Sequence, residues 1–396
     1  MQAKLQSKAR ASSKIRIPKK SKIALVCSGG AVKAGAYHLG VALALQEKGF
    51  KFIGGLKKEG SSPTLTGREI SVFVGSSAGS IISTYLACGY SLDQIFDSFL
   101  GKGSKKDGGL NRITYGTMFS LRRDLSLLNS FNLLNIKKWA KWPGLFSTQG
   151  IERYLREDVL TSNDFRSYEA DLFVVATQLN HSKKVVFGKY QFSPSSGDRT
   201  VAYRNNTRIS EACAGSIALP FVFSPYAIKN EKGQNVYYFD GEVRDTLSTH
   251  VAFDAGADLI ISSYTHQPYH FKKEIGSLHD YGIPAILIQA LYLLIERKIQ
   301  TAANNVEKHK RVYDAVSSFF KEHSLSDSLR KQCLERVEKH LSMRRDVDYI
   351  YIHPRPDDHE MFFGDHFNLS AKKMAEIVRL GFRSGIDILR RYEFED

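Results

Sequence analysis

The chain has 396 residues, 42% of them hydrophobic and 24% charged, a balance that suits a soluble globular protein and argues against a fibrous or broadly disordered one. Its length exceeds an average domain, yet one large α/β sheet with insertions absorbs it. The formal net charge is +15, and no apolar run approaches the ~20 residues of a membrane-spanning helix, so the sequence predicts a protein that is soluble or lies on a membrane without crossing it.

Residues 1–22 carry Lys4, Lys8, Arg10, Lys14, Arg16, Lys19, Lys20 and Lys22 and no acid. No apolar stretch follows these charges, which excludes a secretory signal; the composition also suits an organellar transit peptide, but the simpler expectation is a basic, flexible, solvated tail. On an anionic lipid surface each well-placed cation adds about 1 kcal/mol, and nucleic acid attracts the same charges by the same route. Cys27, Cys88, Cys213 and Cys333 are widely separated and lack metal-ligand spacing. Buried free thiols and a reducing, cytoplasmic setting follow, with neither a disulfide framework nor a metal site.

In chain order, KIALVCSGG (22–30) reads as a buried strand entering a glycine turn, and AGAYHLGVALALQEKG continues as a helix ending near Gly49. A polar connection spans 51–69; EISVFVG is then a second strand and GSIISTYLACGY a second helix. Further strands are expected at 171–179, 185–188, 237–241, 257–264 and 347–354, mostly separated by helical stretches. This alternation predicts a three-layer α/β fold, a mostly parallel sheet flanked by helices. Two segments interrupt it and read as insertions in a single domain of residues 23–396: a basic, Leu- and Trp-bearing one at about 101–146, and a helical one at about 283–343. Lys137, Lys138, Trp139 and Trp142 in the first combine cations with interfacial aromatics, which suits a membrane contact as well as an amphipathic helix packed on the sheet.

The segment ISVFVGSSAGSII (70–82) drives a β-branched run into Gly-Ser-Ser-Ala-Gly and then into helix-compatible residues. A Gly-x-Ser-x-Gly turn between strand and helix makes a sharp elbow that presents its serine outward. Ser77 is that serine, with Gly75 and Gly79 on either side, and the following helix directs its unsatisfied N–H groups at the hydroxyl. The same pattern also serves tight packing or phosphate binding. A serine nucleophile needs a base. His181, His250, His266, His270 and His279 follow it in the chain, and YYFDG ends an apolar strand at Asp240, a place suited to a positioned general base and equally to an Asp-Gly turn.

Four separated segments resemble the patatin-like phospholipase family. VGSSAGS is similar to its nucleophile elbow, DGEVRDTLSTHVAFDAGADLII to the stretch bearing its aspartate, LVCSGGAVKAGAYHLGV to its glycine-rich oxyanion loop, and EACAGSIALPFVFSP to the small-residue stretch before the aspartate. FNLSAKKMAEIVRLGFRSGIDIL is compatible with the family's terminal helix. The resemblance implies a lipid acyl hydrolase in which Ser77 and Asp240 form a dyad without histidine, and in which backbone N–H groups of Gly29, Gly30 and Ala31 hold the oxyanion. It implies no metal or cofactor, a phospholipid or other acyl-ester substrate, and a peripheral position on a membrane surface, anionic by charge. No aromatic-basic motif or zinc finger supports nucleic acid. Two departures stand out: the loop reads Ser28-Gly29-Gly30-Ala31-Val32-Lys33, with one glycine replaced and a residue added, and Glu242 replaces a small residue after the aspartate. A carboxylate there raises the pKa of its neighbour. A Ser-Asp-His esterase with His250 or a later histidine as base, and a catalytically silent lipid-binding protein, are the alternatives.

Overall fold

A computed structural model describes residues 14–58, 60, 67–121, 144–181, 183–194, 200–220, 222–244, 246–341 and 344–395. Lys137, Lys138, Trp139 and Trp142 lie outside the described residues. The first pieces are β1 (Ile15–Ile17), β2 (Ile23–Cys27), α1 (Ala31–Glu47), β3 (Lys51–Phe52), β4 (Glu69–Ser76) and α2 (Ala78–Ala87). Next come α3 (Leu92–Leu100), β5 (Asp171–Gln178), β6 (Lys183–Gly188), β7 (Val201–Arg204) and α4 (Ile209–Ser216). The chain continues with β8 (Tyr226–Lys229), β9 (Asn235–Asp240), α5 (Thr249–Asp254) and β10 (Leu259–Ser263). It closes with α6 (Gly282–Glu322), α7 (Asp327–Leu341), β11 (Asp348–Ile352), α8 (Ala371–Leu389) and β12 (Tyr392–Phe394).

A ten-stranded sheet holds these together in the order β8-β9-β5-β4-β2-β10-β11, with β3 beside β4, β6 beside β5 and β7 beside β6. The centre is parallel throughout, β5 to β4 to β2 to β10 to β11. The antiparallel pairs, β8/β9, β9/β5 and β5/β6, gather at one side. Parallel strands buried on both faces need apolar residues at every position, and alternate residues here enter two separate cores. Ile23, Leu25, Phe73, Leu172, Val174 and Ile261 join the core under α1, α2 and α8. Ala24, Val26, Val72, Val74, Phe173 and Ile260 join the core under α5 and α6. The result is the helix-sheet-helix sandwich that the sequence predicts.

The helix layer under α1 is set by glycine. A Cβ on Gly40 of α1 would lie 2.1 Å from the Val378 carbonyl of α8, and one on Gly381 of α8 would lie 2.2 Å from the Tyr37 carbonyl of α1. The two backbones therefore touch where neither has a side chain, and α8 seats directly on α1.

The N-terminal region requires a correction. Residues 14–22 fall within the segment expected to be a flexible tail, but β1 pairs in parallel with β12 at the other end of the chain. Lys20 bonds Asp348 at 2.9 Å, Lys22 bonds Asp171 at 2.7 Å, and the Ser21 hydroxyl donates to Asp258 at 2.6 Å. Charges that read as solvated in sequence find carboxylates at the amino ends of the parallel strands. The late helical segment comprises α6, 41 residues long, and α7, with no strand between them. Helix α6 with its leading turn, Leu278–Glu322, is long and apolar enough to cross a membrane by length and composition, a property hidden in sequence by interspersed polar residues.

Candidate active site

The site forms where two strands meet end to end. Strand β6 pairs with Phe173–Gln178 of β5 and takes one edge of that strand. On the other edge β4 pairs with Asp171–Val175 and β9 with Ala176–Gln178. Ser76 is thus opposite Val175 and Asp240 opposite Ala176, on adjacent positions of a single strand. Strand β4 arrives from one direction and β9 from the other, so the residues that end them, Ser77 and Asp240, come together at the carboxyl ends of the parallel strands, the ordinary ligand side of an α/β sheet.

Ser77 occupies the turn with φ +51°, a left-handed backbone that a side chain adopts only when its surroundings hold it there. They do so through its main chain. Its N–H donates to Ser216 Oγ at 2.9 Å, and Ser216 Oγ donates in turn to the Val175 carbonyl at 2.6 Å. Its carbonyl accepts from Ser80 Oγ at 2.6 Å. The flanking glycines are required by contact: a Cβ on Gly79 would lie 2.2 Å from the Cys27 carbonyl, and one on Gly75 would lie 2.4 Å from the Gly79 carbonyl.

The Ser77 hydroxyl lies close enough to the Asp240 carboxyl to lower its pKa. Asp240 is 2% exposed, and burial pushes its carboxyl up to about 6, although the Glu242 N–H, donating to Oδ1 at 2.9 Å, and the nearby Ser77 hydroxyl pull it down. Glu242 is pushed up further, to about 8, first by burial and then by the adjacent Asp240 charge. Burial raises both carboxyls, and the Asp240 charge raises Glu242 further, so of the two Glu242 is the one that holds a proton more firmly and Asp240 the one that ionises first.

Glu242 alters the glycine loop. Its Oε1 accepts the Gly29 N–H at 2.8 Å, so one of the three N–H groups expected to be open is already engaged. Its other oxygen, Oε2, lies near the Ser76 and Thr246 hydroxyls, close enough for them to lower its pKa but outside hydrogen-bond geometry. Gly30, at φ +129°, and Ala31, at φ +60°, turn the chain into α1. Gly30, Ala31 and Ala78, the first residue of α2, line the same cavity as Ser77, and no hydrogen bond among the described residues engages their N–H groups. Thr265 Oγ1 supports the loop by donating to the Gly29 carbonyl at 3.1 Å. Buried His38 bridges the Ser28 carbonyl at 2.8 Å and Ser263 Oγ at 2.7 Å. Lys33, the loop's basic residue, is buried and donates to the Met361 carbonyl at 2.5 Å; burial lowers its pKa to about 7, against the pull of Asp365.

The cavity in front of Ser77 has a volume of about 670 Å³. Its walls are mainly apolar, including Ile81, Ile113, Met118, Leu219, Phe223 and Phe367 from one side and Ile288, Leu291 and Ile295 of α6 from the other. Asp240 and Glu242 line it beside Ser77. Of the histidines, His266 and His366 line it; burial drives the pKa of His266 down to about 3 and that of His366 down to about 4, and Nδ1 of His266 has no hydrogen-bond partner. His250, the other expected base, instead lies 3.3 Å from Lys184 Nζ. The four cysteines are free thiols, and among the described residues no three His, Cys, Asp or Glu side chains cluster to hold a metal. Ser216, Ser80, His38 and Thr265 escaped sequence reasoning; the Ala- and Ser-rich stretch before Asp240 was the one available pointer to Ser216.

Fold and site geometry together define an α/β protein with an open apolar cleft at the carboxyl ends of its parallel strands. The family model of patatin-like phospholipases matches residues 25–253, and the chain belongs to that family. It is 28% identical over 212 residues to the uncharacterized protein R571 of Acanthamoeba polyphaga mimivirus, an alignment covering 50% of this chain and 60% of that protein. The crystal structure of VipD from Legionella pneumophila aligns with 96% of this chain and 72% of its own, at 15% identity and a TM-score of 0.34.

Proposed function

We propose that the protein hydrolyses fatty-acyl esters of lipids through an acyl-enzyme on Ser77, with Asp240 as the general base. The observation that carries this reading is the register of β4 and β9 along β5, which ends the two strands at Ser77 and a buried Asp240 in the lining of one apolar cavity large enough for an acyl chain. Asp240 removes the serine proton as Oγ attacks the ester carbonyl. The N–H groups of Gly30, Ala31 and Ala78 receive the tetrahedral oxyanion, and Gly29 joins them when Glu242 moves aside. Asp240 returns the proton to the departing alcohol, and water then attacks the acyl-serine with the same carboxylate as base. The dyad calls for no metal or cofactor.

Membership of a lipid hydrolase family and the apolar cleft support a phospholipid or related acyl ester as substrate. We further propose action at a membrane surface, anionic by complementarity to the +15 charge, and a cytoplasmic setting consistent with four free thiols. One observation favours a second reading, a catalytically silent lipid-binding protein: the Glu242 carboxyl already sits on the Gly29 N–H.

Mass-spectrometric analysis of products from a mixed lipid panel, wild type beside Ser77→Ala, tests the proposal. Wild type should release free fatty acid and the variant none, with both melting at the same temperature. Equal release by the two proteins would end the assignment, and failure of Ser77 to react with a fluorophosphonate would select the silent alternative.

A further inference from the structure

Helix α6 has two apolar faces, and the protein covers one of them. Inward, Tyr292, Ile295 and Ile299 are buried. Outward, Ile283 is 72% exposed, Leu287 64% and Leu294 62%, with Ile286 and Leu293 about half exposed beside them. The spacing of 283, 287 and 294 puts these three side chains on one stripe, opposite Tyr292. No charged residue occurs from Tyr281 to Ile295; charge resumes only at Glu296, Arg297 and Lys298. Exposed apolar surface of this extent is uncommon on a monomer and marks a contact.

We propose that this stripe is the surface on which the protein docks to a phospholipid bilayer, with α6 lying in the plane of the interface. The inference rests on the lipid hydrolase reading for its purpose. Three observations choose the occupant. Tyr281, Pro284 and Leu291 both line the cavity and are exposed, so α6 forms its rim and the stripe borders the opening. A lipid leaving a bilayer through that rim stays in contact with apolar surface. Ile295 and Ile299 of the inner face join the core beneath the sheet, which ties α6 to the protein body and favours an interfacial orientation over a spanning one. The net charge of +15 attracts an anionic bilayer and repels a second copy of the chain, the other candidate for covering the stripe.

Flotation of the full chain with vesicles of phosphatidylcholine, alone or mixed with phosphatidylglycerol, tests this, comparing wild type, Ser77→Ala and the triple variant Ile283→Ser, Leu287→Ser, Leu294→Ser. None of the three substituted positions lines the cavity. Wild type and Ser77→Ala should float equally, more strongly with phosphatidylglycerol, and the triple variant should bind at least about tenfold less. The triple variant should also keep the wild-type melting temperature and rate on a soluble short-chain ester while losing turnover of vesicle lipid in step with binding. Equal flotation of the triple variant and wild type would overturn the proposal, as would a wild-type dimer that the substitutions dissolve without any vesicle binding. Because Ser77→Ala tests chemistry and the stripe variant tests docking, either can fail while the other stands.

Discussion

Glu242→Gln isolates the effect of a buried acid without changing its shape. The amide keeps an acceptor for the Gly29 N–H but cannot ionise. In the unfolded chain Glu242 titrates near its ordinary value of 4.5; in the folded protein burial and the Asp240 charge raise this to about 8. A raised folded pKa contributes stability that is complete below the unfolded value and disappears as pH rises through the folded one. At pH 7 the folded protein must hold a proton that the unfolded chain has released, and with each pH unit above 4.5 worth about 1.4 kcal/mol, this costs about 3 kcal/mol. At pH 5 the same comparison gives less than about 1 kcal/mol. Urea unfolding of wild type and Glu242→Gln at the two pH values should therefore show the variant gaining on wild type by about 2 to 3 kcal/mol between pH 5 and pH 7. Parallel pH dependences for the two proteins would show that Glu242 is not protonated in the folded state, and the ionisation pattern derived for the site would fall.

Asp240→Asn should reduce ester hydrolysis by about 10² to 10⁴-fold, measured on a soluble short-chain ester, with the fold retained. Wild-type kcat/KM should rise with pH through about 6 as Asp240 ionises, and a rate flat from pH 5 to pH 8 would remove Asp240 from the base role. Gly79→Ala should destabilise the protein by more than about 2 kcal/mol, because its methyl group would meet the Cys27 carbonyl at 2.2 Å and only backbone movement could relieve it. A thermal melt unchanged from wild type would show that the elbow has more room than the contact indicates.

Much of the central sheet can be read from the sequence, because strands buried on both faces cannot hide. IALVC has no polar residue and ISVFVG only Ser71, and each runs into glycine where the chain must turn. Ser77 is legible for the same reason: the residues around it are small because backbone lies within reach of them on either side. Strands β7 and β8 were not anticipated; at four residues each, half-exposed and near the antiparallel side, they lack a pattern that distinguishes them from loop. The contact between Glu242 and Gly29 joins positions remote in the chain, and nothing local to either announces it. The Ser216 bridge depends on α4 packing against β5, again a matter of tertiary position. Helix α6 shows a further limit: Ile295 is buried and Leu294 is exposed, yet the two are indistinguishable by hydrophobicity.

The head-on junction of β4 and β9 along β5 also governs when the molecule becomes competent. During synthesis the elbow emerges early and the aspartate much later, so no nascent chain that stops short of Asp240 contains both halves of the pair. The growing polypeptide therefore carries an inert alcohol until β9 slots in behind β4. In the proposed dyad, assembly of the site therefore waits on the closing of this one strand junction.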